Sequence, residues 1–179
     1  ALQTIMHTLM QDKKLLKALA DRDRDSLLRN TTLYYQNLKH DFDITHLYFT
    51  SVDRVNLLRV HAPLRYGDEI NRTTTLQAQR SGSSTYGVEL GPLGTFTLRF
   101  VSPWYDEKNS LVGYVELGME IDQVLRKLQN FFAVSAFVII KKEFLNEAKF
   151  KEGMRTLGRT LDWDKFKNVV INQQSSYKM

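Results

Sequence analysis

Residues 44–117 alternate apolar and polar side chains, and turn residues punctuate the alternation. Four segments carry the period of two: 46–50 (HLYFT), 56–62 (NLLRVHA), 95–101 (TFTLRFV) and 111–119 (LVGYVELGM), with a shorter one at 85–91 (TYGVELG). Successive side chains on a strand point to opposite faces, so each segment sorts into two rows. One row, Leu47, Phe49, Leu58, Val60, Val88, Leu90, Phe96, Leu98, Phe100, Val115 and Leu117, reads as a core face. The other holds Arg59, His61, Glu89, Thr97, Arg99, Tyr114 and Glu116, rich in paired charges for a surface that only meets water. The expectation is one five-stranded antiparallel sheet whose second face carries function.

Composition narrows the chemistry. The chain has 179 residues, 42% apolar and 25% charged, an ordinary globular balance. It has no cysteine, which excludes disulfide frameworks, thiolate metal sites and cysteine catalysis. The net charge of +5 comes from basic residues scattered among 20 acids, so nucleic-acid binding is not expected. The longest apolar run, FFAVSAFVII at 131–140, is about half of what a bilayer span needs. No signal peptide opens the chain at Ala1, so an exported domain would carry its targeting and anchoring segments outside this sequence.

Ahead of the alternation, apolar residues from Leu2 to Leu38 recur at three- and four-residue steps, which predicts a long N-terminal helix or helix pair over 1–40. The run DRDRD at 21–25 either marks a break, with Asp25 or Ser26 capping a second helix, or forms a solvated stripe of ion pairs. Such a helix must bury its apolar stripe on the sheet, on a partner chain, or on both. Within the sheet region SVDRVN reads as a hairpin connection, residues 69–78 as a short helix, and GPLG and DEKNS as turns between neighbouring strands. After Glu120 the period becomes helical, then 131–140 reads as a buried strand, 141–150 as a short helix and 163–171 as a piece of undecided type. A long helix, an antiparallel sheet and a mixed tail make an α+β fold. The segments expected are 1–40, a sheet-bearing module at 41–130, and 131–179 as a mixed segment or reduced second module.

The ordered series ITHLYF, NLLRVHAP, RYGDEINR, GVELGPLGTFTLRFVSPW and GYVELGMEI, preceded by ALADRDRDSLL, resembles the extracytoplasmic double Cache sensor domains. These PAS-like domains occur in bacterial chemoreceptors, sensor histidine kinases and diguanylate cyclases, and the likeness runs from about Lys17 to Lys142. It implies a periplasmic or extracellular ligand-sensing domain flanked by transmembrane helices, with a small molecule bound between one sheet face and its covering loops. The same resemblance implies a homodimer through the N-terminal helix and a cytoplasmic output domain that this sequence does not name.

On that reading Arg59, His61 and Arg99 are partly desolvated, and a guanidinium fork suits a carboxylate. Tyr114 offers a hydroxyl, while Glu89 and Glu116 neutralise the arginines or take an amine; Tyr66, Arg72 and Trp104 are expected in the loops that close the cup. Two arginines and a histidine against two glutamates, with Arg65 and Arg72 nearby, predict an anionic, carboxylate-like ligand. Against this stands an ordinary wet sheet face, on which Arg and Glu pairs contribute only a few tenths of a kcal/mol each. No metal or cofactor is expected: His7, His40, His46 and His61 lack any metal-ligand spacing. Nor does a nucleophile elbow or phosphate loop mark an enzyme. The alternative from another class is a dimerising scaffold that senses through a protein partner.

Overall fold

The structure, a computed structural model, describes residues 2–91, 94–132, 136–156, 158 and 162–175. In chain order the helices are α1 (Leu2–Leu9), α2 (Lys13–Ala20), α3 (Arg24–Phe42), α4 (Thr73–Ser81), α5 (Ile121–Phe132) and α6 (Glu147–Thr156). The strands are β1 (His46–Ser51), β2 (Asn56–Arg59), β3 (Thr85–Leu90), β4 (Phe96–Tyr105), β5 (Leu111–Glu120), β6 (Ala136–Lys141) and β7 (Val169–Ser175). Contacts divide the chain into one unit of Ala1–Glu89 with Leu98–Met119 and another of Leu90–Thr97 with Glu120–Met179. Sequence reading places its divisions at 40 and 130 instead, without assigning Leu90–Thr97 to the C-terminal part.

The long N-terminal helix or helix pair expected from periodicity is three helices. Asp12 ends the first, its carboxylate accepting from the Lys14 and Leu15 amides, and so caps α2. Asp23, not Asp25 or Ser26, caps α3 by accepting from the Ser26 amide, while Arg22 turns the chain with φ of 54°. These breaks leave the apolar period intact, so all three helices aim the same kind of side chain at the sheet. The solvated reading of 21–25 holds in part: Lys17 pairs with Asp21, and Arg22 reaches Asp53 at 3.5 Å.

The sheet of the N-terminal unit runs β2-β1-β5-β4-β3, with β1 antiparallel to both neighbours. Local hairpins make the outer pairs, and the β1–β5 seam joins them. Leu47, Phe49, Leu58, Val115 and Leu117 are fully buried against Met6, Leu9, Leu15, Leu19, Leu27 and Leu38 of the helices. Each such side chain contributes roughly 1.5–3 kcal/mol of hydrophobic stabilisation. Val88 was expected in this core but lies on the edge strand β3 and is 53% exposed. Helix α4 begins later than expected and ends on Gly82, whose φ of 63° suits a residue without a side chain.

In the C-terminal unit β6 and β7 form an antiparallel pair, and Ile140, Phe150, Met154, Trp163 and Val170 close a small core with Leu90 and Phe96. Leu90 and Phe96, expected on the core face of the large sheet, are spent here. The run 131–140 is not one buried strand. Phe131 and Phe132 end α5, residues 133–135 lie outside the described residues, and in β6 Ile140 is buried while Phe137 and Ile139 stay half exposed. The 141–150 helix resolves into a short 3-10 turn and the start of α6, and 163–171 into a 3-10 turn and β7.

Gly113 decides how closely α2 approaches the sheet. A Cβ there would collide with the Thr50 carbonyl and press on Leu19 at 3.2 Å. Gly113→Ala should therefore lower unfolding stability by about 1–3 kcal/mol, measured by urea titration; an unchanged midpoint would show that β1 and β5 have room to separate.

Candidate ligand-binding site

On the face turned away from α1–α3, one row of polar side chains crosses all five strands. Register puts Arg59 of β2 opposite Tyr48 of β1, and Tyr48 opposite Glu116 of β5. Glu116 accepts from Arg99 of β4, and Arg99 Nε lies 3.3 Å from Glu89 Oε2 on β3. The cover completes the pairing. Arg72, just ahead of α4, donates to both Glu116 oxygens at 3.1 Å. Asp68 accepts from both terminal nitrogens of Arg59 at 2.7 Å, and Glu89 accepts from the Thr74 amide at 2.7 Å and the Thr74 hydroxyl at 3.1 Å.

This face is not wet. Arg59, Arg99 and Glu116 are each at most 5% exposed, so the few tenths of a kcal/mol assigned to solvated cross-strand pairs do not apply. Buried ions recover their desolvation cost only when geometry and additional hydrogen bonds are good, and losing one partner strands the other. Three guanidiniums, Arg59, Arg72 and Arg99, meet three carboxylates, Asp68, Glu89 and Glu116. The row itself is balanced in charge once Asp68, which the sequence reading did not count, is included, while Arg65 of the cover, counted there at the mouth, is exposed.

Two histidines sit beside Tyr48. The His46 and His61 rings meet edge to face at 4.6 Å, and His61 stacks on Tyr48 at 5.3 Å. Burial, then the charge His61 would carry, then the neighbouring arginines push the His46 pKa down to about 2. Burial, then the charges of Arg59, Arg65, Arg99 and Arg72, push His61 down to about 4. Both imidazoles are thus neutral at pH 7, and His61 does not titrate near 6.5. Some polar groups under the cover have no hydrogen-bond partner among the described residues: both amide atoms of Asn56, the Thr75 hydroxyl and His61 Nδ1. Buried groups of this kind are rare in a finished interior.

Of the nine residues singled out from sequence, Arg59, Arg72, Glu89, Arg99 and Glu116 come together in one network. His61 stands at its Tyr48 end. Tyr114 shares the face but lies farther along β5, opposite Thr50, where it packs with Ala78 and Val101. Tyr66 is exposed in the covering segment, its ring 4.2 Å from the Arg24 guanidinium. Trp104 is not a loop residue: β4 continues through Tyr105, and Trp104 is buried in the helix-side core, on the wrong face for the cup. Tyr48, Asp68, His46 and Thr74 were missed. Tyr48 sits between Leu47 and Phe49, so its place in the alternation already put it on the polar face.

A cavity of about 720 Å³ lies on the helix side, between α1 and β4, lined by His7, Met10, Phe100, Ser102 and Trp104 among others. None of its lining residues carries a formal charge, so it lacks the ionic network of the row. Among the described residues no three potential metal ligands cluster.

Glu116→Gln removes the charge between Arg99 and Arg72 and should cost about 3–5 kcal/mol of stability; a loss under about 1 kcal/mol in urea titration would mean that the row is solvated. The histidines give a second expectation. Their folded pKa values lie below the unfolded value near 6.5, so the unfolded chain binds more protons as pH falls through 6.5 toward 4, and for His46 toward 2. Stability should fall in that window by at most about 1.4 kcal/mol per pH unit per histidine. Melting between pH 7.5 and 4.5 checks this, with a shallower slope expected for His61→Gln.

Residues 1–161 match the family described as the double sensory domain of two-component sensor kinase, dCache_3. The fold is similar to the E. coli DcuS sensor domain, at a TM-score of 0.59 and 20% identity, covering 71% of this chain and 91% of that one. It is also similar to the V. cholerae histidine kinase DctB sensor domain, at 0.59 and 14%, covering 97% and 76%. A third likeness is a domain of a sensory box/GGDEF family protein from Vibrio parahaemolyticus, at 0.59 and 15%, covering 78% of this chain and 60% of that one. No curated protein matches the sequence itself.

Proposed function

Because the chain belongs to the double sensory domain family of two-component sensor kinases, we propose that it binds a small molecule on the covered face of its large sheet and passes the event to an output domain across a membrane. The observation that carries this reading is the buried row of Arg59, Arg72 and Arg99 with its three carboxylates, roofed by a polar segment and bordered by unpartnered groups on Asn56, Thr75 and His61. A wet sheet face would leave these groups in water, and a scaffold would have no use for them in its interior. The domain is periplasmic or extracellular in this reading and has no catalytic role; no helix among the described residues is long and apolar enough to cross a membrane.

The ligand proposed is a carboxylate. Its support is the planar fork of Arg59, which already holds one carboxylate in two parallel hydrogen bonds. A ligand shifts a conformational equilibrium only through unequal affinity for two states. Helices α1–α3 pack on the strands that carry the row, so a change in strand spacing reaches them directly. A homodimer belongs to the same reading. Leu9 and Leu27 are buried in the chain's own core and Leu16 is packed against it, so the contact falls to the outer side of α3, where Leu33 is 69% exposed.

A thermal-shift panel of small carboxylates, amino acids, amines and sugars tests the reading. A ligand at about one hundred times its Kd adds about 2.7 kcal/mol by mass action, a rise of roughly 5–10 °C for a chain of this size. A panel with no shifts would favour the scaffold, and shifts confined to amines would remove the carboxylate.

A further inference from the structure

The segment 62–68 roofs the row without burying anything of its own. None of its residues is buried; Leu64 is 92% exposed and Tyr66 57%. Polar ties hold it instead. The Gly67 amide donates to the Asn56 carbonyl at 2.8 Å, and the Asn56 amide to the Asp68 carbonyl at 2.9 Å. Arg59 donates to the Arg65 carbonyl and to both Asp68 oxygens, each at 2.7 Å. At its other end Arg24, the first residue of α3, donates to the Pro63 carbonyl and lies against the Tyr66 ring.

The two partners of the Arg59–Asp68 pair are unequal. The Arg59 side chain is 6% exposed and fixed by the sheet, whereas the Asp68 side chain is 55% exposed and brought in by a segment with no apolar anchor. A fork of two parallel N–H donors does not distinguish a chain carboxylate from a free one. A segment secured by few polar ties also opens at little cost.

Resting on the sensor reading above, we propose that Asp68 is an internal occupant of a carboxylate site at Arg59. A ligand carboxylate takes the fork, Asp68 leaves, and segment 62–68 loses its main tie to the sheet and with it the support for its contacts to Arg24 at the start of α3. Asp68 thereby sets a threshold: a ligand must bind the fork better than the chain's own carboxylate held at high local concentration.

Asp68→Asn keeps the shape and one acceptor and removes the charge. Hydrogen exchange without ligand should rise at least tenfold in peptides covering 62–68 and stay unchanged in β1 and β5. In calorimetric titrations acetate and succinate should bind Asp68→Asn at least tenfold more tightly than the wild-type chain, and adding Arg59→Lys should erase the gain. Asp68→Ala, read by the same two measurements, covers any loss of folding peculiar to Asn. Carboxylate binding equal to or weaker than wild type in both Asp68 variants overturns the proposal, while any panel compound bound by the wild-type chain leaves the sensor reading standing. Conversely, succinate bound by Asp68→Asn with no panel compound bound by wild type keeps the internal occupant and removes the sensor reading.

Discussion

Glu116 is the residue on which the polar half of the N-terminal unit depends. It lies on the central strand, is 3% exposed, and accepts from Arg99 beside it and Arg72 above it. Because an isolated buried carboxylate is far more costly than a paired one, its presence fixes both arginines. Arg99 then stands within reach of Glu89, and Glu89 is free to receive the amide and hydroxyl of Thr74 near the start of α4. A chain of charges thus ties the central strand to the edge strand and to the cover helix. Apolar packing holds the other face, so the sheet has two interiors of opposite chemistry.

That division explains what was legible in the sequence. Period-two alternation from His46 to Leu117 showed the strands and sorted Leu47, Phe49, Val115 and Leu117 from Arg59, Arg99 and Glu116, because burial on one face and ionic pairing on the other both respect the pleat. Trp104 was misplaced because Ser102-Pro103 looks like the end of a strand. Proline is tolerated here since β3 begins only at Thr85, with Ser84 reaching Ser102 through side chains at 2.8 Å, so Pro103 gives up no ladder bond to that neighbour. The break before α2 was hidden for a related reason, since Asp12 caps without disturbing the helical period; the break before α3 was offered by the DRDRD run, with Asp25 or Ser26 rather than Asp23 as its cap.

The missing members of the site were legible only in part. Tyr48 followed from alternation alone. Asp68 and Thr74 could not be found that way, since both come from the cover, where no period operates and placement depends on how residues 60–75 fold back over the strands. The strands alone pair two arginines with two glutamates, and the expected positive bias came from adding Arg65 and Arg72 of the cover without the Asp68 that the same cover supplies. Charge balance at a site built from a sheet and a loop is a tertiary property.

The strand order β2-β1-β5-β4-β3 has a kinetic consequence. β1 with β2, and β3 with β4 and β5, are local hairpins that can close quickly, whereas the seam between β1 and β5 joins Tyr48 to Glu116 across much of the chain. Pairings this distant in sequence come at an entropic cost of loop closure and slow the search. The ionic row crosses that seam, so no folding intermediate with only its hairpins formed possesses it. During synthesis the N-terminal helices and β1 must wait for β5 to emerge, and only then does Arg59 acquire the face in which its charge can be buried.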